Sequence, residues 1–478
     1  MSIDLSLHRI NSLISCLPRP WYTRPTCHIA GTNGKGSVSA LLASIFVSSG
    51  LSVGRFNSPH LISLYDCILI NNNAITQEKF NEAKNIVDAA NTESAADVSS
   101  FESLTMIALV AFEKAKVDIA VVEVGMGGRL DATNVMPDNC IVVSALTAVD
   151  LDHQAFLGHT VAEIAREKAG IARKATPFVL GQQRHKEVVD AVESCVPATN
   201  LIRAQVIQKS HIIPDTEGIL LSSLQINKAL SQHITVTLPC FPGEVLSASL
   251  PLYGAHQLEN LGLAVSIIST LLADAENSEL IPGLKGITPK SICAGIESTH
   301  WRGRLSFHTL TSSSSQSLTI LADGAHNPSS SATLGNFIES LLHLRKLSLT
   351  YVLALSHSPP KSPLQTLAPL LSPKIMNHTG LQGSVRVALV RFTPPDGMPW
   401  VKSVPRLEMQ DAVCHLGVSA ADIWAANEDG PVVRQLPDAL GWASSRRSEE
   451  AEDRGEELVV VAGSLYLVAD LYRLPNLK

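Results

Sequence analysis

The chain has 478 residues, 45% of them hydrophobic and 17% charged, with a net charge of −7. That length exceeds one ordinary core and predicts two domains, and the acidic balance supplies no basic field for nucleic acid or an anionic membrane surface, so neither is expected as a partner. Eight scattered cysteines without a C-x-x-C pair read as reduced core thiols, no apolar run approaches membrane-spanning length, and the start MSIDLSLHRI shows neither a signal core nor an arginine-rich leader; cytosol is the default location, with the mitochondrion as the alternative.

In chain order, Cys27–Gly31 reads as a short strand. Ser37–Gly50 reads as a helix, with Val38, Leu41, Leu42, Ile45 and Phe46 at helical spacing and Gly50 able to end it. Between them, HIAGTNGKGS (His28–Ser37) sets Gly31, Gly34 and Gly36 where backbone N–H groups can wrap an anion, and Lys35 can reach outer phosphates. It is not a strict Walker A: Ile29 stands at the first glycine position, and Gly36 follows the lysine where Ser or Thr is usual. A glycine-rich turn with an exposed lysine is the bland alternative; the ordered strand, loop and helix make it the minority reading.

Asp118–Val124 (DIAVVEV) and Ile141–Leu146 read as buried parallel strands, their apolar residues continuous rather than alternating. Glu123 falls at the C-terminal end of the first, where open α/β sheets place their ligands. Gly125, Gly127 and Gly128 allow close backbone approach, and Arg129, Leu130 and Asp131 follow. The plain reading of Glu123 is a buried acid paired with an arginine; beside a phosphate loop, magnesium is the other countercharge. Leu151–His153 leads into a helix over Thr160–Ala172, with Val161, Ile164, Ala165 and Lys168 on one face. Lys168 either snorkels to water or, aimed inward near Glu123 and His153, is neutralised or modified to serve the metal. Residues 200–250 alternate weakly and predict a β-rich insertion.

A second α/β series begins after Trp301, with strands expected at Leu318–Ala322, Tyr351–Leu355, Val385–Arg391 and Leu458–Ala462. Thr311–Ser317 and the charged stretch Ser444–Glu457 read as loops, the latter solvated. ADGAHNP (Ala322–Pro328) ends the first of those strands. Asn327 as a helix cap and Pro328 at the first helical position are architectural, which leaves Asp323 and His326 unexplained. His8 and His308 stand alone and read as structural or solvated. The fold class is α/β, divided 1–299 and 300–478.

These clusters, with NSPHL (Asn57–Leu61), YGAHQLEN (Tyr253–Asn260), WRGRL (Trp301–Leu305) and GSLYL (Gly463–Leu467), resemble the folate branch of the Mur ligases, the dihydrofolate and folylpolyglutamate synthases. The resemblance covers nearly the whole chain. It implies a P-loop ATPase-like N-terminal domain, a smaller Rossmann-like C-terminal domain, and catalysis in the cleft between them. Position by position it implies Gly34, Lys35, Gly36 and Ser37 on the ATP phosphates, Ser58, Glu123 and His153 on Mg2+, and Lys168 as a carbamate. Asn260, Arg304 and Asp323 become ATP contacts, His326 a catalytic neighbour, and Gly128, Arg129 and Leu130 substrate contacts. Asn57 replaces a usual Thr or Ser, and Ala148 and Asp150 stand where small residues are usual; neither departure is expected to touch a proposed ligand.

The implied reaction is ATP-dependent ligation of L-glutamate through an acyl phosphate, with closure of the second domain excluding water. The first expectation for the acceptor is 7,8-dihydropteroate, because IDLSLHRI (Ile3–Ile10) resembles a pterin-contacting stretch, with Asp4 and Leu5 as contacts, and the layout including DGMPW (Asp396–Trp400) resembles fungal monofunctional enzymes. The chain starts almost at that stretch, without the leader of many eukaryotic polyglutamate-forming relatives. Asp4 as a simple helix cap is the alternative. Folylpolyglutamate synthase is the second expectation and a P-loop kinase or NTPase the third; a monomer is expected.

Overall fold

Continuous apolar runs need both faces covered, and the structure, a computed structural model, supplies two sheets that cover them. It describes residues 6–209, 230–311, 317–357, 361–378, 385–445 and 456–477. Asp4, Leu5, the middle of the serine run and most of the charged 444–457 stretch lie outside the described residues. The chain divides into two units: the first runs to Trp301, the second starts at Arg302, and Leu252–Gly254 clusters with the second.

The first unit is built on eight strands: β1 (Thr26–Ala30), β2 (Val53–Phe56), β3 (Ile68–Ile70), β4 (Asn73–Ala74), β5 (Ile119–Glu123), β6 (Ile141–Leu146), β7 (Phe178–Leu180) and β8 (Leu201–Arg203). Their order is β4-β3-β2-β5-β1-β6-β7-β8, with β1 central and parallel to both β5 and β6. Every residue of β1, β5 and β6 is buried. The β3–β4 hairpin runs antiparallel at one edge.

One face is packed by Phe56, Phe80, Met106, Phe112 and Val122, each fully buried side chain contributing about 1.5–3 kcal/mol. The helix Lys35–Ser48 is buried without a break from Ser37 to Phe46, so it behaves as a core helix rather than an amphipathic one. Helices Ala255–Ala273 and Pro289–Glu297 pack on it. Gly295 makes the second contact possible, since a Cβ there would collide with the Ile45 backbone. The β-rich insertion takes the form of a three-stranded antiparallel sheet, β9 (Gln208–Lys209), β10 (Gln232–Thr237) and β11 (Val245–Leu250).

Among the described residues the second unit holds six strands: β12 (Ser306–Thr311), β13 (Ser317–Ala322), β14 (Leu347–Leu353), β15 (Val385–Leu389), β16 (Ile423–Ala425) and β17 (Glu456–Ala462). They are ordered β12-β13-β17-β14-β15-β16, all parallel except β12. Two of these strands, β12 and β16, are not expected from the sequence. β12 is only partly buried and β16 is three half-buried residues long, too little for periodicity to register. β14 also starts four residues earlier than its apolar run, because Ser348 and Thr350 are buried polar members of it.

Candidate active site

The phosphate-loop geometry is fixed by its glycines. Gly34 has φ 97°, a left-handed conformation that glycine adopts without strain. A Cβ on Gly34 would strike the Asn260 amide, and one on Gly36 would lie 2.5 Å from the Trp301 ring. Thr32 N and Asn33 N donate to the Ala148 carbonyl at 2.9 and 3.2 Å, and Thr32 Oγ1 exchanges hydrogen bonds with the Asp150 backbone. The Asp150 carboxylate pairs with His185 at 3.0 Å. The departures at Ala148 and Asp150 therefore sit on the segment that Thr32 and Asn33 of the loop bond to.

Lys35 Nζ donates to the Gly31 and Thr32 carbonyls at 3.2 and 3.3 Å and lies 3.8 Å from Glu123 Oε1. Glu123 is 5% exposed. Its other oxygen accepts from Asn57 Nδ2 at 2.5 Å, which corrects the expectation that Asn57 touches no proposed ligand. Ser58 follows Asn57 directly, so the same strand end presents both. His153 is exposed, with φ 51°, at the start of a short helix, and Asp152, beside it, is buried. Among the described residues no three His, Cys, Asp or Glu side chains gather into a metal cage.

Lys168 lies on the helix Val161–Ala169, which Thr160 caps. It is 3% exposed, and its Nζ donates to the Gly31 carbonyl at 2.8 Å. Snorkelling is thereby excluded. Burial, with the Lys35 charge adding to it and Asp152 and Asp131 opposing, lowers its pKa to about 7.

The glycine-rich segment after Glu123 is tied down from beneath. Asp131 accepts from Met126 N at 2.9 Å, Thr133 N at 3.0 Å and Thr133 Oγ1 at 2.6 Å. His28 Nε2 lies 2.8 Å from Thr133 Oγ1. Because the threonine proton goes to the carboxylate, the proton between Thr133 and His28 belongs to Nε2. Burial holds His28 neutral, with its pKa lowered to about 3. Gly128 has an architectural duty, since a Cβ there would meet the Lys168 and Glu167 carbonyls at 2.7 and 2.8 Å. Arg129 donates its backbone N–H to Glu167 O at 2.8 Å and pairs its guanidinium with the Glu167 carboxylate at 3.0 Å. Leu130 follows at the surface, half-buried.

The helix Ala255–Ala273 contributes two amides to the loop. Gln257 Nε2 donates to Ser37 Oγ at 3.3 Å, and Asn260 Nδ2 donates to Gln257 Oε1 at 2.9 Å. Gln257 was not singled out in the sequence, although it lies inside YGAHQLEN next to the residue that was.

In the second unit Asp323, Arg304 and His326 come together. Asp323 is 8% exposed and accepts from Leu305 N and Ala325 N, both at 2.8 Å. Burial pushes its carboxyl up, while Arg304 and those amides pull it back. Arg304 Nη1 donates to the Gly303 carbonyl at 2.9 Å. His326 Nδ1 lies 2.9 Å from the Gly324 carbonyl, which can only accept, so Nδ1 carries the proton. Asn327 caps the helix Pro328–Leu344, as its architectural reading requires. His308 hydrogen-bonds Tyr472 at 2.8 Å and His8 is solvated.

The family model for the dihydrofolate synthetase C-terminal domain matches residues 305–474. The chain is 32% identical to the dihydrofolate synthetase of Saccharomyces cerevisiae, over 100% of this chain and 99% of that protein. It is 29% identical to the probable dihydrofolate synthetase of Schizosaccharomyces pombe, covering 99% of each. Among solved structures, Mycobacterium tuberculosis folylpolyglutamate synthase complexed with ADP and AMPPCP superimposes with a TM-score of 0.73 at 27% identity, over 98% of this chain and 94% of that one.

Proposed function

The chain belongs to the dihydrofolate synthetase family, and we infer that it is an ATP-dependent ligase joining L-glutamate to 7,8-dihydropteroate, with 7,8-dihydrofolate, ADP and phosphate as products. The observation that carries this reading is similarity along the full length to two fungal dihydrofolate synthetases, on a chain that keeps the phosphate-loop lysine 3.8 Å from Glu123.

A carboxylate is a poor electrophile. Phosphorylation by ATP makes it an acyl phosphate, which an amine then attacks as phosphate leaves. Gly34, Gly36 and Ser37 offer N–H groups to the phosphates, Lys35 offsets their charge, and Gln257 with Asn260 hold the loop's amide wall. The residues present fit a magnesium ion. Asn57 Oδ1 is buried without a hydrogen-bond partner among the described residues, close to the Glu123 carboxylate. Glu123 and Ser58 supply hard oxygens and His153 a nitrogen, and a set with so few protein ligands suits a cation that keeps waters and phosphates. Ser58, Glu123 and His153 would hold it, and when bound it would neutralise charge on the phosphates. Arg304, Asp323 and His326 are assigned to ATP and catalysis in the second unit. Magnesium, glutamate as the second substrate, a monomeric state and a cytosolic location all belong to this proposal.

The test is ADP release with dihydropteroate or tetrahydrofolate, each with and without glutamate. Release that needs both dihydropteroate and glutamate is the expected result. Preference for tetrahydrofolate would reassign the chain to polyglutamate synthesis, and a stable phosphorylated product without glutamate would reassign it to a kinase.

A further inference from the structure

Arg55 is a buried cation to which the ligase chemistry above gives no role. On β2, Gly54 faces Phe112 and Phe56 joins the core on that same side, so strand alternation sends Arg55 and Asn57 to the face of the phosphate-loop helix. Arg55 pairs in register with Val121, two residues before Glu123. It therefore stands one rung below the Asn57–Glu123 contact. The residue is 5% exposed, and its Nε is buried with no hydrogen-bond partner among the described residues. The Trp301 ring lies over the guanidinium, 5.1 Å to the centroid. The same indole is what a Cβ on Gly36 would meet at 2.5 Å. The cation is sealed beneath an indole that rests on the first turn of the phosphate-loop helix, and Glu123 acts on it through space, opposing the fall in its pKa that burial causes.

Lys35 is differently placed. Its ammonium touches two loop carbonyls and Glu123, and reaching a phosphate means leaving the carboxylate. A buried carboxylate stripped of its cation is costly. We propose that Arg55 is a positioning residue that keeps the charge of Glu123 balanced when Lys35 departs, so that Lys35 is free for the phosphates. Arginine suits this role because it stays charged and the indole keeps it from following. The inference rests on the reading of Lys35 as the phosphate lysine.

The experiment is calorimetric binding of AMPPCP and of adenosine in EDTA, which removes any metal contribution from Glu123. Arg55→Met is expected to weaken AMPPCP binding on the order of tenfold and to leave adenosine unchanged. Arg55→Lys should restore most of the loss. Adding Glu123→Gln to Arg55→Met should also restore it, because no carboxylate then retains Lys35. A simple packing role would not give that recovery. Should Arg55→Met fail to fold, Arg55→Gln takes its place in the same cycle. Unchanged AMPPCP binding, equal loss of adenosine, or no recovery in the double variant overturns the proposal. Lys35→Ala separates the two readings: if it too binds AMPPCP normally, the phosphate-loop assignment itself fails.

Discussion

Lys168 Nζ donates a hydrogen bond to the Gly31 carbonyl at 2.8 Å, joining an amine buried on the helix Val161–Ala169 to the turn of the phosphate loop. A lysine 3% exposed, with a pKa lowered to about 7, is largely an uncharged nucleophile just above neutrality. Such an amine can attack carbon dioxide, lose a proton and become an anionic carbamate. The buried amine would become an anion suited to a cation beside phosphates.

Lys168 is accordingly expected to carry a carbamate in active enzyme. Bicarbonate should raise activity above about pH 7, and the effect should fade as pH falls through that value, because the protonated amine cannot react. Lys168→Ala should be inactive and partly rescued by formate or acetate. An unmodified Lys168 in the intact mass of fully active enzyme would count against this.

His28 gives a pH dependence of stability with a definite sign. Its folded pKa of about 3 lies below the ordinary value of 6.5. Between those values the unfolded chain binds a proton that the folded chain does not. Stability is therefore intact above pH 6.5 and is lost as pH falls toward 3, by up to about 1.4 kcal/mol per unit. His28→Gln keeps a donor for Thr133 and should flatten that slope. Urea unfolding of both proteins at pH 7.0 and near pH 5 measures it; parallel slopes would remove His28 as the cause.

The glycine loop's strand–loop–helix geometry was legible because strand, glycines, lysine and helix are consecutive in sequence, and Ile141–Leu146 was readable to the residue as a continuous rather than alternating strand. Lys168 was found from its helical phase, but not its partner: Gly31 is far away in the chain and contributes only a carbonyl, which no side-chain pattern announces. Asn57 reads as a mild departure in the sequence and is a ligand to Glu123 in the fold. Arg55 carried no signal, since a single charge in LSVGRF looks like an edge-strand residue until register pairs it with Val121, one rung below Glu123. Asp323 was located by position at a strand end, whereas its work on the Leu305 turn depends on an 18-residue separation.

That turn is a second mutational target. Leu305 is buried with φ 46°, which costs a non-glycine residue about 1–2 kcal/mol. Asp323 holds it by accepting the Leu305 N–H, and takes the Ala325 N–H with its other oxygen. Asp323→Ala leaves both donors unpaired and should destabilise the protein by roughly 2–4 kcal/mol. Asp323→Asn keeps one acceptor oxygen and should lose about half as much. Chemical unfolding checks the order; equal stability of the alanine variant would show that the turn holds without the carboxylate.

The remaining prediction concerns Lys35, whose contacts separate stability from turnover. The side chain is 15% exposed, and its partners are the Gly31 and Thr32 carbonyls and, at 3.8 Å, Glu123. None of them is a core contact, and the loop's shape is set independently by Gly34 and by the Ala148 carbonyl accepting from Thr32 and Asn33. Lys35→Ala should therefore fold, losing about 1–2 kcal/mol, because Arg55 remains to offset the buried Glu123 carboxylate once the 3.8 Å contact is gone. Turnover depends on a fixed positive charge at the transferring phosphoryl group, and losing such a group costs at least roughly a hundredfold in kcat. The measurement pairs an unfolding curve with ADP release under saturating ATP, dihydropteroate and glutamate. Near-normal turnover by a folded variant would sink the assignment of Lys35 to the phosphates. Loss of turnover together with loss of the fold would instead make Lys35 a structural brace for Glu123, and Lys35→Met, which keeps the stem, then distinguishes the missing charge from the missing packing.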